Sequence, residues 1–75
     1  MILPTKHIRT EQSLLGIGAV LLAALRRPTT VSALWEEVKS DARVGTYERF
    51  VLALDLLSAI GAVGFSAGLL RREQR

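Results

Sequence analysis

The chain has 75 residues, 49% of them hydrophobic and 5% aromatic, and ten basic against seven acidic side chains give a net charge of +3. That length holds one thin core in one small domain, and so high an aliphatic content excludes a disordered chain. With no cysteine and a single histidine, disulfides, thiolate chemistry and a self-sufficient zinc site are excluded, and the shortage of reactive side chains leaves little room for a conventional enzyme.

Residues 1–12 mix Leu3 and Ile8 with Pro4, Thr5, Lys6, His7, Arg9 and Thr10. They read as an extended N-terminal arm over 1–10, with at most one short edge strand, because Pro4 cannot donate to a central ladder. The opening residues lack the basic, apolar and small-residue order of a signal peptide, which makes the cytoplasm the expected location. A first helix is predicted from Glu11 or Gln12 to Arg27, with Leu14, Ile17, Leu21, Ala24 and Leu25 on one side. Arg26 and Arg27 fall in its last turn, where cations suit the dipole, and Pro28 stops it. Gly16 and Gly18 cost helix propensity, so a packing reason is expected for them.

A second helix is predicted with Thr30 as its N-cap, or Ser32 as the alternative, with Val31, Leu34, Trp35 and Val38 inward and an end near Ser40. A third is predicted from Tyr47 to about Ile60, capped by Thr46 and closed by Gly61. Phe50, Ala53, Leu54, Leu57 and Ile60 form its core stripe. Beyond Gly61 the pattern becomes that of two strands, Ala62–Phe65 and Gly68–Arg72, around Ser66-Ala67. The expectation is therefore one domain over residues 1–75, mainly α with a small β-hairpin: a winged helix-turn-helix whose wing is residues 61–72. A three-helix bundle with a disordered tail is the plainer alternative.

Two apolar stretches raise the question of a membrane span. Leu14 to Leu25 is too short. Val51 to Leu70 is long enough, but Asp55 and three glycines interrupt it, and a mid-span aspartate costs a few kcal/mol. The expectation is no membrane segment.

Several segments together are informative: Leu3-Pro4-Thr5-Lys6-His7-Ile8, Ser13-Leu14-Leu15-Gly16-Ile17-Gly18-Ala19, Thr30-Val31-Ser32-Ala33-Leu34-Trp35 and Phe50-Val51-Leu52-Ala53-Leu54-Asp55-Leu56-Leu57, then Gly61-Ala62-Val63 and Leu69-Leu70-Arg71-Arg72. In this order the chain resembles the small middle component of bacterial three-component ABC-ATPase defence systems, the group that includes Lamassu-like systems. The resemblance implies partners: an SMC-like ABC ATPase and an effector, often a nuclease. The middle component would be the small bridging subunit of an anti-phage or anti-plasmid complex. It implies no catalytic residue and no cofactor in this chain.

The residues agree with that lack of chemistry. His7 stands beside Lys6 and Arg9, which repel a metal, so arm packing or solvent exposure is the better reading. Asp55 has no nucleophile or second acid near it in sequence. Glu36-Glu37 reads as a solvated helix face rather than a metal site. Gly16 and Gly18 follow no strand and lack the third glycine of a nucleotide loop. Trp35 reads as a core residue before it reads as a partner anchor.

A winged helix normally reads DNA with its last helix, using exposed arginine, lysine, asparagine or glutamine. Opposite Phe50, Leu54 and Leu57 this helix instead carries Glu48, Val51, Leu52, Asp55 and Ala59, and Arg49 is its one basic residue. Such a face repels phosphates. That weighs against the rival reading, a winged-helix DNA-binding transcriptional regulator. Basic residues lie elsewhere: Lys6 and Arg9, Arg26-Arg27, and Arg71-Arg72 with Arg75. Arg71 and Arg72 on the wing are the expected nonspecific DNA-backbone contacts, with solvated charge as the plain alternative. In the first helix Leu15, Ala19 and Leu22 point away from the core set. A helix apolar all round is normally buried all round, and 75 residues cannot wrap it. The expected partner interface is therefore Leu15, Ala19 and Leu22 with Val51, Leu52, Asp55 and Ala59.

Overall fold

The structure, a computed structural model, describes the backbone of residues 5–73 and the side chains of residues 14–73. Three helices, α1 (Thr5–Ala24), α2 (Val31–Val38) and α3 (Tyr47–Ala59), precede two strands, β1 (Val63–Ser66) and β2 (Leu69–Arg72). The chain is mainly helical, and the order of helices and hairpin is consistent with a winged-helix layout. Among the described residues no helix is long and apolar enough to cross a membrane.

Helix α1 departs from expectation at both ends. It begins at Thr5, so the extended arm over 1–10 is not found in its described part; residues 5–10 are helical. Once a helix exists, each added residue contributes one hydrogen bond without a new nucleation cost, and apolar periodicity gives no hint of that extension. Residues 1–4, and the side chains of Lys6, His7 and Arg9, lie outside the described residues. The C-terminus comes early, at Ala24. Leu25 N–H still donates to Leu21 O at 2.9 Å, but Arg26 N–H turns to Ala24 O. The residue before a proline is pushed out of the α region, and here the unwinding spreads back from Arg27. Neither arginine sits in the last helical turn.

Both predicted N-caps are formed. Thr30 is extended at φ −79° and ψ 160°, and its hydroxyl accepts from Ala33 N–H at 3.0 Å. Thr46 accepts from Arg49 N–H at 3.2 Å. Each satisfies a backbone donor that the helix leaves without a partner. Helix α2 ends at Val38, two residues before the expected Ser40. Helix α3 ends in a Schellman closure: Gly61 N–H donates to Ser58 O at 3.1 Å and Ala62 N–H to Leu57 O at 2.8 Å. Gly61 has φ +78°, a conformation that costs glycine nothing. Ile60, expected in the core stripe, instead caps the helix at φ −92° and ψ 3° and is 62% exposed. Leaving the helical repeat rotates its side chain off the inner face.

The hairpin register pairs Val63 with Arg72 and Ser66 with Leu69. Its turn is Ala67-Gly68, one residue later than expected. Both turn residues have positive φ, 56° and 79°, as the tight hairpin turn matched to strand twist requires. Thr29, in the α1–α2 linker, forms an isolated antiparallel bridge with Leu70. Thr29 N–H donates to Leu70 O at 3.0 Å, and Leu70 N–H donates back to Thr29 O at 2.7 Å. This pair fixes the wing against the end of α1.

Ile17, Leu21 and Leu25 of α1, Leu34 and Val38 of α2, Phe50, Ala53, Leu54 and Leu57 of α3, and Val63 and Leu70 of the hairpin share one core. Val44, in the α2–α3 loop, joins them with no exposure. Trp35 is half-buried and packs on this core. Its ring stands edge-on to Tyr47 at 5.1 Å between centroids and 5.2 Å from Phe50, a geometry that favours aromatic pairs. Gly18 has the packing role expected of it: a Cβ there would lie 3.1 Å from Leu57 Cδ2. Gly16 has none, since a Cβ there would meet nothing.

Candidate protein-docking surface

In the winged-helix layout with which this order of elements is consistent, α3 is the helix that would read DNA. Phe50, Ala53, Leu54 and Leu57 hold the inner side. The helical repeat then turns Glu48, Leu52, Asp55 and Ala59 outward, and all four are exposed. Leu52 exposes 48% of its surface. Val51, placed with this group by sequence, is half-buried and packs against the core, so it contributes only its outer edge. Arg49 lies at the flank near the start of the helix. An exposed leucine and alanine around a carboxylate form a surface that a protein can cover and that a phosphate backbone avoids.

The second expected face divides in the same way. Leu15 is 54% exposed and Ala19 is exposed, while Leu22 is half-buried against the core. Ile17, Gly18, Leu21 and Leu25 fill the opposite side. Sequence reasoning missed four other exposed apolar side chains: Tyr47, Ile60, Phe65 and Leu69. Phe65 and Leu69 flank the hairpin turn. Phe65 shares the face of Val63 and Leu70 but stays exposed, whereas Leu69 pairs with Ser66 on the opposite face. Strand alternation signals the faces but not how far the core reaches along them.

The structure also brings together residues that the sequence holds apart. Arg26, Arg27, Arg71 and Arg72, with Leu25 and Pro28, line an open cleft of about 260 Å³. Arg75 lies outside the described residues. Arg26 faces Glu37 at 3.7 Å and Arg71 faces Glu73 at 3.8 Å, both too long for a hydrogen bond. Arg72 Nη1 approaches Leu22 O at 3.5 Å.

Asp55 stands exposed on α3, Glu36 pairs with Lys39 at 2.7 Å, and no group of three or more histidine, cysteine, aspartate or glutamate side chains converges among the described residues. Among the described residues the strongly shifted acid is Asp41, where Arg43 holds the carboxyl at about 2 through side-chain and backbone hydrogen bonds. That pair closes a loop.

Comparison with known proteins adds one match. A family model, ABC-three component (ABC-3C) system Middle Component 6, matches residues 3–72. No curated protein and no solved structure matches the chain.

Proposed function

The chain belongs to the ABC-three component system Middle Component 6 family, and from that premise we propose that it is a noncatalytic adaptor joining the ABC ATPase of its system to an effector. The ATPase is SMC-like in this reading, the effector is a nuclease, and the complex acts in the cytoplasm as a Lamassu-type defence against phage or plasmid DNA. The adaptor holds the effector inactive until DNA is sensed.

The observation that carries the proposal is the outer side of α3. In the position where a winged-helix regulator displays base-reading side chains, this chain displays Leu52, Asp55 and Ala59, all exposed. Apolar groups there are stabilised by burial against a partner, at roughly 25 cal/mol per Å² covered. Asp55 among them then requires a donor from the partner to offset its desolvation. Leu15 and Ala19 on α1 supply a second surface of the same character, which suits a subunit with two partners.

Two substitutions separate docking from folding. Leu52→Arg adds a cation at an exposed position and should leave the helical circular dichroism intact while abolishing co-purification with the ATPase and effector. Leu54→Arg places an unpaired charge at a core position only 9% exposed and should unfold the domain. If Leu52→Arg keeps full assembly while Leu54→Arg destroys the fold, α3 is not the docking face, and the interface must be sought on α1.

A further inference from the structure

We propose that the cleft between the end of α1 and β2 binds the phosphate backbone of duplex DNA without reading its sequence. The inference uses no residue of the α3 surface, so either can fail without the other.

Four arginines from two segments far apart in sequence line this cleft. Arg26 and Arg27 come from the unwound end of α1, and Arg71 and Arg72 come from β2. Two features of the fold bring them together: the early stop of α1 ahead of Pro28, and the Thr29–Leu70 bridge that seats β2 beside the linker. Gathering like charges opposes folding unless an anion offsets them. The nearest carboxylates do so only loosely. Glu37 and Glu73 stand 3.7 and 3.8 Å from one guanidinium each, and such exposed pairs contribute little. Arg27 has no ion pair or hydrogen bond among the described residues. The guanidinium fork matches two phosphate oxygens at once.

The shape of the site favours a polymer over a small phosphate. The cleft is open and shallow, and Arg26 and Arg71 keep 78% and 55% of their side-chain surface exposed. A pocket for a small ligand would enclose most of it. Along a duplex, by contrast, separate arginines meet successive phosphates from the groove edge. The arginines of this cleft contact phosphates rather than base edges, so contact through it is sequence-independent.

The test titrates the full chain with a fluorescently labelled 20-base-pair duplex of arbitrary sequence at several salt concentrations. The expected result is binding whose logarithm falls linearly with the logarithm of salt. Arg27→Ala and Arg71→Ala should each weaken it about three- to tenfold and lower the salt slope by about one. Arg43→Ala removes the same charge from a loop where the guanidinium is already bound to Asp41, and should leave both affinity and slope unchanged. Circular dichroism confirms that each variant is folded. Inorganic pyrophosphate should compete with the duplex. The proposal is overturned if Arg27→Ala and Arg71→Ala bind like the parent, or if Arg43→Ala weakens binding as much. It is also overturned if pyrophosphate or phosphatidylserine vesicles bind and the duplex does not.

Discussion

Asp41 and Arg43 show how one residue pair shapes the loop that positions α3. Asp41 Oδ1 accepts from Arg43 N–H at 2.8 Å and from Nε at 3.0 Å, and Oδ2 accepts from Nη2 at 2.7 Å. These bonds favour the charged form and lower the carboxyl pKa from 3.8 to about 2. A depressed folded-state pKa stabilises the fold above the unfolded value, and that stabilisation is lost as pH falls through the folded one. The relevant window is therefore pH 3.8 down to about 2. Asp41→Asn should lower the thermal midpoint at neutral pH, and its difference from the parent should shrink across that window. A difference that stays constant from pH 5 to pH 2 would show that the ionised pair does not hold the loop. The same turn places Val44 in the core, which sequence reasoning did not anticipate. A single valine between arginine and glycine has no periodicity to mark it, and its burial follows from the loop closure.

At the level of the elements, the signals that act over three or four residues were the legible ones. Thr30, Thr46 and Gly61 announce caps through chemistry confined to one turn, and each is found where expected. Val51, expected on the outer side, is half-buried against the core, while the inner stripe Phe50, Ala53, Leu54 and Leu57 followed from the helical repeat. Ile60 did not, because the repeat ends one residue before it. The two glycines of α1 separate local cost from packing. Both sit mid-helix, where glycine costs about 1 kcal/mol relative to alanine. Gly16→Ala meets nothing within 4 Å and should recover that cost, raising the thermal midpoint by about 4–8 °C in a domain of this size. Gly18→Ala must displace Leu57 Cδ2 from 3.1 Å, so overpacking offsets the gain. Its midpoint should rise by clearly less than that of Gly16→Ala, or fall. Equal gains in calorimetry would mean that α1 and α3 are not closely packed at Gly18.

Across the whole molecule, what was hardest to read is what long-range pairing creates. Local signals supplied the order of helices and hairpin, but nothing near Arg26 or Arg71 in sequence says that they share a cleft. The molecule is thin, 47 by 28 by 17 Å, and exposes 5250 Å². The Thr29–Leu70 bridge also carries a kinetic consequence. Its two amides donate to each other's residue, so neither can exchange its hydrogen with solvent unless the wing separates from the linker. Under native conditions one opening event exposes both, and their exchange should report the same free energy despite their distance along the chain. Amides at the ends of α2 should exchange through smaller, local fraying. Deuterium exchange that released Leu70 well before Thr29 would show that the two segments open separately. Equal release would make this amide pair a clock for the docking and undocking of the wing.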